Sequence, residues 1–135
     1  MNEDEAYLDI AIRYLESCNE HINTNTTLQE VIGFNCYHSF ESAGGAYNSH
    51  YGQVVPKAHA RKLNAFVANT RHNTLVNGRA IAAIATMLNS LRNKYLYPEQ
   101  VGYMFIRPQD QLSMTDCKRL VAKVRGILRQ IERLI

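Results

Sequence analysis

The hydrophobic residues of this chain recur every three or four positions over long segments, and this period restricts the fold more than any other feature. It is the period of an α-helix that buries one or more of its faces. Only three prolines interrupt the 135 residues, and no two segments alternate as paired strands do. Because proline breaks helices and strands need a period of two, the sequence predicts an all-α fold.

The predicted architecture is an up-and-down bundle of four long helices plus one short helix. A chain of 135 residues is long enough for one core but makes two separate cores marginal, so residues 1–135 are expected to form a single domain. Thr27 with Glu30, and Ser113 with Asp116, have the spacing of helix caps. The predicted helices cover residues 4–23, 28–48, about 56–70, about 75–93 and 113–135.

Residues 94–112 break the helical period but remain rich in apolar side chains. Pro98, Gly102 and Pro108 punctuate this segment, which is typical of a loop. An apolar loop that stood free would expose a large hydrophobic surface to water. We therefore expect the segment to pack on the helices or on a partner protein.

The composition excludes several classes of protein. Hydrophobic residues make up 46% and charged residues 20%, as in ordinary globular domains, and no apolar run reaches the roughly 18 to 20 residues of a membrane span. The N-terminus reads Met-Asn-Glu-Asp-Glu, whereas a signal peptide needs positive charge. Three cysteines are too few and too odd in number for a disulfide framework. We expect a cytoplasmic protein with reduced thiols and no membrane contact.

The charge is distributed unevenly along the chain. The net charge is +3, yet residues 1–30 hold seven acids and one base, and no acid lies between Glu41 and Glu99. Such asymmetry indicates an acidic first helix and a basic surface elsewhere. The basic surface fits phosphate or an acidic partner, although solvated helix faces and internal pairing explain the same pattern.

The candidate basic surface follows the predicted helix that begins near residue 56. Its residues are Lys57, Arg61 and Arg71, and we predict that they bind a ligand. His59 and His72 flank the same helix. They either contact phosphate or are ordinary exposed histidines.

Motifs for cofactor and metal chemistry are absent. The sequence has no glycine-rich phosphate loop and no serine-nucleophile elbow, so no cofactor is predicted. Cys18 and His21 have helical spacing and could meet His38 and Glu41 of the next helix. Scattered cysteines more often belong to a core, so the sequence predicts no metal site.

The strongest candidate site lies where a predicted helix ends. Arg92 and Asn93 stand together there, and Tyr97 follows just before a proline. Arginine can grip a phosphate or carboxylate with two hydrogen bonds, the amide can orient a ligand, and the tyrosine offers a stacking face. The same string is also typical of an ordinary helix C-terminus.

With the helices around it, this string resembles the HEPN superfamily, the higher eukaryote and prokaryote nucleotide-binding domains. Residues 34–46 resemble the second helix of the family, residues 59–66 its following short segment, and residues 88–98 the helix that ends in the family motif. The segment from Thr115 onward resembles its final helix. The resemblance implies a bundle of four to five helices, commonly a symmetric dimer, and in many members a metal-independent ribonuclease or toxin encoded beside an antitoxin.

The family motif is an Arg, four to six residues, then a His, commonly with a polar residue after the Arg. Arg92 and Asn93 match its first half, but Tyr97, Pro98 and Glu99 occupy the positions where the His is expected. RNA cleavage needs a group that exchanges protons near neutral pH, and an ordinary tyrosine, with a pKa of about 10, does this poorly. This departure favours a domain that binds without cutting.

Three functions follow from these observations. The first is a non-catalytic, degenerate HEPN-like domain that dimerises and binds RNA, a nucleotide or a partner protein such as an antitoxin, in a toxin–antitoxin or defence context. The second is a metal-independent ribonuclease toxin that uses Arg92 and Tyr97, or a histidine such as His59 or His72. The third is a purely structural protein-interaction module that docks through residues 94–112.

Overall fold

The computed structural model describes residues 1–135 and is helical apart from one small hairpin. The all-α prediction is therefore confirmed for the bulk of the chain. The elements are α1 (Glu3–Asn23), α2 (Gln29–His50), α3 (His59–Thr70), α4 (Gly78–Leu96), β1 (Glu99–Val101), β2 (Met104–Ile106), α5 (Pro108–Gln111) and α6 (Met114–Leu134). None of these helices combines the length and the apolar character that a membrane crossing requires.

Side-chain caps mark the start of two helices. The hydroxyl of Ser113 accepts a hydrogen bond from the backbone N–H of Asp116 at 3.0 Å, which confirms the predicted cap of α6. The predicted Thr27–Glu30 capping box is wrong, because α2 begins one residue later and Leu28 occupies the cap position. The start of α4 is set by Asn77, whose side chain accepts from the backbone N–H of Ala80 at 3.0 Å.

Contacts between side chains define how α1 and α3 run relative to α2. The hydroxyl of Ser49, near the end of α2, donates to Glu3 at the start of α1 at 3.1 Å, so these helices are antiparallel. Glu41 contacts His59 early in α3, whereas Tyr47 donates to the carbonyl of Asn69 late in α3. Consequently α2 and α3 run parallel, and residues 51–58 return along the C-terminal half of α2.

Helix α2 is the centre of the structure and is buried over most of its length. Its glycines permit this burial. A Cβ atom on Gly44 would lie 2.8 Å from the ring of Phe66, and one on Gly45 would lie 2.8 Å from the ring of Tyr7. Because neither position has room for a side chain, α1 and α3 pack directly on the backbone of α2.

The segment predicted as an irregular loop contains a β-hairpin, which is a correction. Gln100 of β1 pairs with Phe105 of β2, and Gly102 turns between them with a φ of +62°. Strands of three residues are too short for an alternating pattern to be recognised in the sequence. Of the segment that was expected to pack on the helices or on a partner, Tyr95 and Leu112 lie in the helical core. Tyr103 and Met104 of the hairpin are strongly exposed.

Candidate functional site

A cluster of polar and aromatic side chains lies where α2, α3 and α4 meet. Helix α2 contributes His38 and Glu41, which are three residues apart and therefore on one face. Helix α3 contributes its first residue, His59, and α4 contributes Arg92 near its C-terminus. We call these four residues the histidine cluster. The parallel course of α3 is essential here, because it returns His59 to the middle of α2.

Glu41 orients His59. A carboxylate oxygen of Glu41 lies 2.6 Å from Nδ1 of His59, and the other oxygen lies 3.4 Å from Nζ of Lys62. Because an ionised carboxylate only accepts hydrogen bonds, Nδ1 of His59 carries the proton and donates it. The side chain of Glu41 is 5% exposed and that of His59 is 44% exposed, so a buried anion holds a ring that reaches solvent.

His38 is packed against aromatic rings. The ring of Phe34 lies 4.3 Å away between centroids, that of Tyr14 stacks at 5.1 Å, and that of His59 lies at 6.0 Å. Burial lowers the pKa of His38 below its ordinary value of 6.5. The imidazole is therefore neutral at pH 7, with one ring nitrogen able to accept a proton.

Arg92 supplies the positive charge of the cluster. Its guanidinium carbon lies 5.8 Å from the centre of the Tyr37 ring, and it forms no salt bridge with any acid of the chain. Tyr37 is 3% exposed, and its hydroxyl has no hydrogen-bond partner. Burial raises the pKa of Tyr37, so its hydroxyl remains a neutral donor. The unpaired guanidinium of Arg92 therefore lies beside Tyr37, whose hydroxyl has no hydrogen-bond partner.

His38, His59 and Arg92 of the histidine cluster line a small cavity of about 30 Å³, which is the volume of roughly one water molecule. The cavity admits single oxygen atoms rather than a whole ligand. A phosphate that covered its mouth would place one oxygen inside, near a cation and two imidazoles. Such an arrangement can bind an anion and transfer protons at it. The lining residues are Phe34, Tyr37, His38, His59, Arg92, Tyr95 and Leu96.

The structure separates Arg92, Asn93 and Tyr97, which the sequence analysis assigned to one candidate site at the end of a helix. Arg92 lines the small cavity, whereas Asn93 and Tyr97 line another groove of about 500 Å³ beside Lys94 and Gln111. The physical reason is that α4 continues to its end at residue 96, so consecutive residues point about 100° apart. Asn93 and Tyr97 therefore belong to a different surface from Arg92.

The predicted basic surface does not line the cavity either. Lys57 precedes α3, Arg61 is exposed in its first turn, and Arg71 follows its last residue. About 15 Å of helix separates Arg61 from Arg71. None of the three forms a salt bridge, and Lys62 is the basic residue of α3 that reaches the histidine cluster.

Sequence reasoning missed Tyr37 and did not connect Glu41 with His59. The available signal was Glu41 itself, an acid within an apolar helix, because a buried carboxylate requires a cationic partner. The alternative grouping with Cys18 and His21 does not form. Cys18 instead lies 3.7 Å from the sulfur of Cys36, and His21 contacts Thr26.

The comparisons with known proteins give no relative for this chain. No protein-family model matches the sequence, and no curated protein or solved structure shows significant similarity to it.

Proposed function

We propose that this protein binds RNA at the histidine cluster and cleaves it without a metal ion. One observation carries the proposal: a histidine oriented by a buried carboxylate lies in the same cavity as an unpaired arginine and a second histidine. The resemblance to the HEPN superfamily supports an RNA substrate. In that family a histidine follows the arginine in sequence, and here His59 and His38 stand near Arg92 in space instead.

The chemistry of RNA suits these residues, because its 2′-hydroxyl is a nucleophile built into the substrate. Neutral His38 takes the proton of the 2′-hydroxyl, and the O2′–phosphorus bond forms as the phosphorus–O5′ bond breaks. Protonated His59 gives the Nε2 proton to the departing O5′. The products are a 2′,3′-cyclic phosphate and a free 5′-hydroxyl.

The remaining residues stabilise charge on the phosphate. Arg92 faces the developing negative charge with up to two hydrogen bonds, and the neutral hydroxyl of Tyr37 can donate a third. Glu41 keeps the proton on Nδ1 of His59 and offsets the positive charge of the ring. Glu41 acts through His59, so it is a positioning residue.

The wider setting belongs to the same proposal and comes from the resemblance. It comprises a bundle of four long helices and one short helix, a homodimer and an antitoxin partner in a toxin–antitoxin or defence system. The cytoplasmic location expected from the three unpaired cysteines belongs to this setting as well. One specific observation favours a protein partner: Tyr103 and Phe105 of the hairpin are largely exposed and apolar. A structural module that docks through this hairpin is the second candidate function.

The direct test uses labelled single-stranded RNA and tRNA with the wild-type protein and Arg92→Ala, in the presence of EDTA. We expect cleavage by the wild-type protein and binding that weakens steeply as salt increases. Arg92→Ala should reduce affinity roughly ten- to hundredfold, because a charged hydrogen bond is lost. Arg61→Ala is the matched control and should retain cleavage. Salt-sensitive binding without cleavage would instead support the non-catalytic domain. If the protein neither binds nor cleaves RNA, the result would support the hairpin module.

The pH dependence of cleavage should report on His38. Because its pKa is lowered, His38 remains an effective base until the pH falls below 6.5, and protonation then removes activity. We expect the acidic limb of kcat/KM to have its midpoint below pH 6.5 and to disappear from the residual activity of His38→Asn. A midpoint above 6.5 would contradict this assignment. The titratable or charged groups that face His38 are Tyr14 from α1, Tyr37 and Glu41 from α2, His59 and Lys62 from α3, and Arg92 from α4.

A further inference from the structure

We propose that the exposed faces of α1 and α6 form one surface that binds a second copy of this chain, with α1 of each copy lying on α6 of the other. The acids of α1 then meet the bases of α6 twice in one two-fold dimer. The inference goes beyond the proposed function, because neither the cleavage chemistry nor the resemblance assigns a surface to the homodimer. It rests on the segregation of charge between two neighbouring helices.

Helix α6 carries the positive charge of the protein. It holds six bases and two acids, so its net charge of +4 exceeds the +3 of the whole chain. Lys118, Arg129 and Arg133 are exposed and are separated by eleven and four residues, which places them on one face of the helix. We call these three residues the basic stripe. From the helical rise, the stripe is about 22 Å long.

Helix α1 has the opposite charge on a face of the same length. It holds six acids and one base. Four of the acids are exposed and recur at intervals of four, seven and four residues, so they share one face of the helix. The ends of this face are as far apart in sequence as the ends of the basic stripe, so the two faces match in length. The four residues, which we call the acidic stripe, are Glu5, Asp9, Glu16 and Glu20.

The two helices are neighbours, yet they do not neutralise each other within the chain. Arg125 of α6 donates to the side-chain oxygen of Asn19 of α1, which holds the helices side by side. No salt bridge connects α1 with α6. Internal pairing, one of the explanations that the sequence left open, therefore does not account for the uneven charge. The acidic and basic stripes instead lie on exposed faces of adjacent helices.

A surface with an acidic stripe beside a basic stripe is complementary to itself. A two-fold axis that runs between the stripes places each one on the oppositely charged stripe of the other copy, whereas an arrangement that pairs like stripes is repulsive. One exposed ion pair contributes little, but the symmetry makes every contact twice. Ala122 and Gly126 lie among the bases, and a Cβ on Gly126 would have no atom within 4 Å, so the second copy has room to approach the backbone there.

The test measures molar mass by sedimentation equilibrium, without RNA, while protein concentration and salt are varied. We expect a dimer whose dissociation constant rises at least about tenfold between about 0.1 M and 1 M salt, because the screening length falls from about 10 Å to about 3 Å. Arg129→Glu combined with Arg133→Glu should be monomeric, as should Glu16→Arg combined with Glu20→Arg. Mixing these two variants should restore the dimer, since both stripes are then acidic in one variant and basic in the other.

Arg61→Glu combined with Arg71→Glu is the matched control. Both residues are exposed, and they lie in or directly after α3, which packs on α2 and α4 rather than on α1 or α6. This variant should dimerise as the wild-type protein does. All the substituted residues are exposed, and circular dichroism melts establish that each variant is folded.

A wild-type protein that stays monomeric at high micromolar concentration in low salt would overturn the inference, as would a dimer that survives both charge reversals or is not restored by mixing. Assemblies larger than a dimer would refute the two-fold arrangement. A monomer whose RNA binding is weakened by the reversal of Arg129 and Arg133 would assign the basic stripe to RNA instead. Because the measurement contains no RNA, a failure of the proposed cleavage leaves this inference standing, and the reverse also holds.

Discussion

Replacing His59 by alanine is expected to lower kcat for RNA cleavage by about 10²–10⁴-fold, the usual contribution of a positioned general acid or base. The oxygen that leaves the phosphorus must receive a proton, and His59 is the histidine that a carboxylate holds, at 2.6 Å from Nδ1. Single-turnover cleavage of labelled RNA gives kcat for the chemical step. Because the side chain of His59 reaches solvent, the variant should remain folded.

His72→Ala is the matched control for this measurement. His72 is exposed after the end of α3 and lines a groove with Tyr47 and Tyr51 rather than the cavity beside Arg92. We expect its kcat to equal that of the wild-type protein. A loss of activity in His72→Ala with none in His59→Ala would show that the wrong histidine has been assigned.

Glu41→Gln tests whether the carboxylate acts through His59. The amide still accepts a hydrogen bond from Nδ1 but no longer offsets the charge of the protonated ring. We expect kcat to fall less than in His59→Ala, with KM almost unchanged. A purely structural role would lower the melting temperature and leave kcat of the folded fraction intact.

Replacing Phe66 by alanine is expected to lower the free energy of unfolding by about 3–5 kcal/mol. Phe66 is fully buried, with the ring of Phe40 at 5.2 Å and that of Tyr47 at 5.9 Å between centroids. Its ring also covers the bare backbone of Gly44. The truncation therefore leaves a cavity between α2 and α3 that the rigid helices cannot close. Urea denaturation followed by circular dichroism measures the loss.

Phe105→Ala makes the same chemical change on the exposed hairpin. Because this ring is 63% exposed, we expect a loss within about 0.5 kcal/mol. Equal losses in the two variants would contradict the packing described for α3. A second check uses Gly44→Ala, whose new Cβ would collide with Phe66 but would have room in the Phe66→Ala background. The two changes should therefore couple strongly in a double-mutant cycle.

The parts of the fold that could be predicted are those governed by short-range rules. The seam of α6 and its Ser113 cap follow from the spacing of residues along one helix. The predicted limits of α3 and α4 differ from the observed limits by up to three residues. Pro56 precedes α3 without starting it, and Asn77 acts as the cap of α4. The hairpin was missed because three-residue strands carry almost no periodic signal.

The sequence analysis named Arg92, His38 and His59 from this cavity, but it placed them in different hypotheses rather than in one site. Arg92 was singled out because arginine near a helix end is chemically conspicuous. Asn93 and Tyr97 were adjacent in sequence and were therefore expected to share its site. They line another groove, since each step along a helix turns the side chain by about 100°.

The sequence by itself determined the helical content, the cap and apolar seam of the last helix, and the uneven distribution of charge. These properties depend on residues within a few positions of one another. The tertiary structure alone decided that His59 meets Glu41 and Arg92. That meeting requires α3 to run parallel to α2, which depends on the return path of residues 51–58 and on the space above Gly44. Long-range packing of this kind leaves no periodic trace in the sequence.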